Sequence, residues 1–164
     1  VRNRIAFLGV FSALAIILGY VESLIPFFMG IPGMKLGLAN MAVISVLYLD
    51  KPGDALLISL VRILVIGALF GNLFSVLYSA AGAGLSFLVM VLLKKTDRFS
   101  IRGVSVAGGV SHNLGQLIVA MFVVETTSLL YYFPFLLISG VVTGFLIGTL
   151  GAEITRRMKG ILKL

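Results

Sequence analysis

Apolar residues run through this chain in six blocks, at about residues 5–25, 36–49, 55–70, 73–93, 101–124 and 129–154, separated by short polar or glycine-rich segments. Within a block the apolar positions are continuous and do not alternate with polar ones. A barrel strand needs that alternation, whereas a lipid-spanning helix needs about 20 apolar residues in a row. The bilayer interior offers no water to unpaired backbone groups, so continuous runs predict helices, which satisfy their own N–H and C=O groups. The pattern predicts an all-α membrane protein with six transmembrane helices, forming one integral membrane domain over residues 1–164. The second block is short and predicts a helix that begins within the bilayer or tilts little.

The separators carry the turn chemistry. Pro26 to Gly37 holds two prolines and three glycines, which predicts a loop folded back on itself. Asp50-Lys51-Pro52-Gly53-Asp54 reads as a compact turn with Asp54 as N-cap of the third helix. Gly71-Asn72 and Glu125-Thr126-Thr127-Ser128 mark two further turns, and Lys94-Lys95-Thr96-Asp97-Arg98 ends the fourth span.

Charge gives the helices a direction. Of 13 Lys and Arg residues, Arg2, Arg4, Lys51, Lys94, Lys95, Arg98, Arg102, Arg156, Arg157, Lys159 and Lys163 all fall on one side if the chain crosses six times. Cytoplasmic segments attract Lys and Arg, so both termini are predicted to be cytoplasmic, in the cell membrane. The loop at 26–37 and the turns at 71–72 and 125–128 then lie outside, and only Lys35 and Arg62 break the pattern. The balance of +7 would suggest nucleic acid in a soluble chain. Here the cations border apolar spans, so orientation and anionic headgroups of the lipid bilayer account for them, and no nucleic-acid partner is expected.

Composition agrees with that class. Hydrophobic residues make up 60% and charged residues 12%, with a mean hydropathy of +1.16, against about 25% charged residues in soluble domains. The absence of cysteine excludes disulfides, thiolate catalysis and cysteine metal sites. Arg2-Asn3-Arg4 before an apolar run resembles a signal peptide, but the run continues to about Ile25 without a small-residue cleavage site, which predicts a retained first span.

Ionisable and polar groups inside a membrane are costly, so they are either paired or turned to a cavity. Arg62, about eight residues into the third block, is a candidate anchor for an anionic ligand group, or else a member of an internal ion pair. His112 and Gln116 lie one helical turn apart on the fifth block and share a face, with Asn113 beside it. They could hydrogen-bond a solute or tie helices together. Glu22, Lys35, Asn40 and Asn72 fall near the outer ends of their segments and could converge on one outward-facing pocket. Its roof would be the loop from Pro26 to Met34, with Phe27, Phe28, Met29 and Met34 as apolar contacts. Glu22 and Lys35 could equally form a rim ion pair. Tyr131 and Tyr132 read as interfacial anchors and Ser79 as a helix hydroxyl.

Small residues form a second set. Ala6, Gly9 and Ala13 lie along one stripe of the first helix, where Gly9-xxx-Ala13 permits close approach of another helix, within the chain or from a partner. Gly140, Gly144 and Gly148 on the sixth helix, and Ala80 with Gly84 on the fourth, read as internal packing. No P-loop motif, Asp-rich diphosphate motif or nucleophile–base pair is present, and a lone histidine makes no metal site. The chain is therefore expected to be non-catalytic, without cofactor or metal.

The run from Ala13 to Pro26 (ALAIILGYVESLIP), followed by Gly30 to Asn40 (GIPGMKLGLAN) and later Ser111 to Gln116 (SHNLGQ), resembles the Gx transporter family, also labelled heptaprenyl diphosphate synthase component I. That family is similar to the substrate-binding S components of energy-coupling factor (ECF) transporters, which are ABC importers of vitamins. The resemblance implies six helices and a vitamin-like or other small organic solute bound near the outer face under the first outer loop. It also implies docking of helix one, through small residues, onto a transmembrane coupling subunit served by two cytoplasmic ATPases, and toppling of the bundle to carry cargo inward. S components commonly show Ala-xxx-Ala on that helix; Gly9-xxx-Ala13 departs from it by one residue. The second label implies an alternative, a non-catalytic membrane accessory subunit of a prenyl diphosphate synthase.

Overall fold

The computed structural model describes residues 4–24, 37–71 and 73–162. Six α-helices carry the chain: α1 (Arg4–Leu24), α2 (Leu38–Leu49), α3 (Pro52–Phe70), α4 (Leu73–Lys95), α5 (Ile101–Val124) and α6 (Phe133–Leu162). A 3-10 helix, Thr127–Tyr132, leads into α6, so the sixth helix starts later and runs further than its apolar block predicts. No strand occurs among the described residues. Five helices are long and apolar enough to cross a membrane, which makes this a multi-pass membrane protein. The exception is α2, whose 12 residues reach only about 18 Å at ~1.5 Å each.

Helix α2 lies in the interior of the bundle. None of its residues is exposed, and α1, α3, α5 and α6 all touch it. A helix hydrophobic on every side suits an interior position. Around it the other five follow as an arc, α1 beside α3, α3 beside α4, α4 beside α5 and α5 beside α6. The α5–α6 seam is set by glycine. A Cβ on Gly140 would meet Val110 Cα at 2.9 Å, one on Gly144 would meet Val106 Cα at 2.7 Å, and one on Gly148 would meet Arg102 Cα at 2.9 Å. The expected internal role of these three glycines is therefore seen. Ala80 and Gly84 correct the other expectation: both face outward, and Gly84 has nothing within 4 Å of its would-be Cβ. The residue of α4 that packs is Gly82, against His112 and Gln116 of α5.

One end of the bundle is held by polar ties. Arg4 donates to Asp54 at 2.6 Å, joining α1 to α3. Asp54 is therefore an ion-pair partner in the first turn of α3, and the N-cap position belongs to Lys51, with Pro52 following it. Lys94 donates to the Leu47 carbonyl near the end of α2 and lies over the Tyr48 ring. Every described Lys and Arg except Arg62 belongs to this end. The core lies toward it too: Phe7, Phe11 and Ala15 of α1 meet α2 from Ala42 to Leu49, with Ile58, Met90, Val104 and Ile147 closing the sides. Along α1 the buried stripe continues as Gly19 and Glu22. Bulk shrinks from two phenylalanines to alanine and glycine, so apolar packing fills one half of the bundle and leaves the other half hollow.

Candidate functional site

The hollow half contains a cavity of about 280 Å³. It is walled by α1 (Gly19, Glu22, Ser23), the start of α2 (Gly37, Asn40), the second half of α3 (Arg62 to Gly71), the first half of α4 (Ser75, Ser79) and His112 of α5. On α3, Arg62, Ile66 and Phe70 recur every fourth residue, and Ile63 and Gly67 lie beside them, so one helical face turns a cation and an apolar wall to the same space. Arg62 is ten residues beyond Pro52, about 15 Å along the helix at ~1.5 Å per residue. Its Nε is buried and has no hydrogen-bond partner among the described residues.

Glu22 is buried at 9% exposure, and its Oε1 accepts from the Gly37 N–H at 2.5 Å. This bond ties the end of α1 to the beginning of α2. Gly37 sits at φ +76°, in the left-handed region, so glycine suits this position. Glu22 and Arg62 place opposite charges on the wall of the same cavity.

Of the residues expected at a common site, Glu22, Asn40, Arg62 and His112 line this cavity. Asn113 does not: its Nδ2 donates to the Leu136 carbonyl at 2.8 Å, which makes it a tie between α5 and α6. Gln116 lies at the α4–α5 contact, where its Cγ would be 2.8 Å from a Cβ on Gly82. One residue turns a helical side chain by about 100°, which is why neighbours in sequence serve different faces. Lys35, Asn72 and the expected roof from Pro26 to Met34 lie outside the described residues. Sequence reasoning missed Ser23, Ser75 and Phe70 and gave Ser79 no place at the site. The i, i+4 spacing of Ser75 and Ser79 was the available signal. Tyr131 and Tyr132 are exposed, away from the cavity.

The docking candidates on α1 face outward. Ala6, Gly9 and Ala13 are all exposed, opposite the buried stripe, and a Cβ on Gly9 would meet nothing within 4 Å. Among the described residues the cavity offers one carboxylate, one guanidinium, an imidazole, an amide and hydroxyls against an apolar wall. These are groups that orient a bound molecule. Among the described residues no three His, Asp or Glu side chains lie together to hold a metal ion.

The model of the heptaprenyl diphosphate synthase component I family matches residues 11–154. The chain belongs to that family. The family is that of an accessory component of the synthase, not itself catalytic, and its name implies a second subunit as partner. No curated protein and no solved structure matches the chain.

Proposed function

We propose that this chain is the solute-binding subunit of an ECF-type importer. In this reading the cation-rich end and both termini face the cytoplasm, and the cavity receives a small organic solute from outside. The observation that carries it is the 280 Å³ cavity itself, a hollow at the cation-poor end with an apolar wall and a few convergent polar groups, to which five helices contribute. Glu22, Asn40, Arg62 and His112 contact the solute or hold its surroundings, and Lys35 and Asn72 join them from the outer segments. The outward stripe Ala6, Gly9 and Ala13 supports docking onto a transmembrane coupling subunit, because small exposed residues allow close helix approach in lipid. Two cytoplasmic ATPases supply energy, since this chain has no P-loop of its own.

The test is purification from native membranes in mild detergent, followed by native mass spectrometry. A retained small molecule and co-purifying coupling and ATPase subunits are expected. Gly9→Leu and Ala13→Leu should break that assembly while retaining the small molecule; normal assembly of both variants overturns the docking face.

A second reading takes up the family's description: a membrane accessory subunit of a prenyl diphosphate synthase. It predicts association with a soluble catalytic subunit and loss of product when this chain is removed. Synthase activity with and without the chain separates the two readings.

A further inference from the structure

The cavity also carries evidence about the charge of its occupant, an inference that rests on reading it as a solute site. Helix α2 begins at the cavity wall, where Gly37 and Asn40 are both lining residues. Its N-cap is Gly37, which has no side chain, and no side-chain cap bond is made there. The first N–H groups of a helix have no partner within it, and with the aligned peptide dipoles they amount to roughly half a positive charge. The Asn40 N–H is met by the Gly37 carbonyl at 2.8 Å, and the Gly37 N–H by Glu22. The amino end formed by Leu38 and Ala39 adds its partial charge to the same space.

Arg62 is an independent second source. It is the only described cation away from the cation-rich end, and its buried Nε lacks a partner among the described residues. Leaving such a donor unmet is unfavourable, and a guanidinium presents a planar fork that fits an acid group. Glu22 offsets one unit of charge, but its Oε1 is already engaged in joining α1 to α2. The last turns of α1 and α3 and the first turn of α4 reach the same cavity, so the helix-end charges offset one another. What favours an acid group is the local pairing of the Arg62 fork, whose Nε lacks a partner among the described residues, with the amino end of α2. The volume of 280 Å³ lies at the lower edge of the ~300–1,000 Å³ typical of small-molecule pockets.

We propose that the cavity binds a compact organic anion, with its acid group between the Arg62 guanidinium and the amino end of α2 and its body against Ile63, Ile66 and Phe70.

Three near-isosteric probes test the charge directly: benzoate, benzamide and benzamidine, titrated calorimetrically against the full chain in lipid nanodiscs. Benzoate should bind roughly tenfold or more tightly than benzamide (about 1.4 kcal/mol), and benzamidine most weakly. Arg62→Gln should erase the preference for benzoate, and Arg62→Lys should retain part of it. If Arg62→Gln fails to fold, the wild-type series alone decides. Benzamide or benzamidine binding as well as benzoate overturns the proposal. That result with a neutral or cationic molecule retained in native mass spectrometry sinks the anion class and leaves the solute-binding reading intact. No response to any probe, with no retained molecule, sinks both.

Discussion

Replacing Gly144 by alanine tests whether glycine sets the α5–α6 seam. The added Cβ would sit 2.7 Å from Val106 Cα and 2.8 Å from the Ser105 carbonyl oxygen, both backbone atoms that no rotamer change can move. Ordinary contact begins at 3.4 Å, so α6 must withdraw by about 0.7 Å. A gap of that size forfeits a quarter to a half of each contact's attraction along the seam, and overpacking of this kind costs about 1–3 kcal/mol. Alanine returns up to about 1 kcal/mol through its better helix propensity. The expected net loss is about 1–2 kcal/mol, or a melting temperature lower by roughly 2–8 °C for a chain of this size. Gly9→Ala is the matched control, because nothing lies within 4 Å of its added Cβ. There only the propensity gain remains, and the melting temperature of the isolated chain should hold or rise by about 2–4 °C. Circular-dichroism melting in one detergent measures both. A Gly144→Ala variant as stable as the parent, or a Gly9→Ala variant that is less stable, refutes the reasoning.

Asn113→Ala removes the bond to the Leu136 carbonyl and should lower stability by about 1 kcal/mol, with solute retention unchanged; a loss of retained solute at unchanged stability would return Asn113 to the site. Arg62→Ala and His112→Ala should each reduce the solute retained in native mass spectrometry while the elution volume on size exclusion stays that of the folded protein; full retention in both moves the site elsewhere. At the other end, the Asp54 side chain is 3% exposed whereas that of Arg4 is 64% exposed. Arg4→Ala strands a buried carboxylate, so it should lower the melting temperature more than the double change Arg4→Ala with Asp54→Asn; the reverse order would mean that the pair does not hold α1 to α3.

The helices were legible because a continuous apolar run of membrane length has few other solutions. The gathering of cations at one end followed from the same runs. The faces were harder to read. In a soluble helix the polar side marks the surface, but lipid and protein interior are both apolar, so α4 gives no sign that Gly82 packs inward while Ala80 and Gly84 face out. The same ambiguity hid the division of labour between His112 and its neighbour Asn113. Asp54 was read locally, as a cap, because its partner Arg4 is 50 residues away and nothing in the local spacing links them. Glu22, Arg62 and Asn40 were findable because charged and amide groups in apolar runs stand out. Phe70 was not, and the i, i+4 spacing of Ser75 and Ser79 was only a weak signal, since hydroxyls and aromatics are common in such helices.

The sheathing of α2 has a mechanical consequence. Pressure from a thicker or thinner bilayer acts on the five helices of the arc, which answer by tilting, while the enclosed twelve-residue rod does not feel the acyl chains. The amino end of that rod and the guanidinium carried by α3 therefore belong to parts that answer differently to the surrounding lipid. Their spacing is therefore expected to change with chain length in the host membrane, and under the proposed function the hold on a solute would change with it.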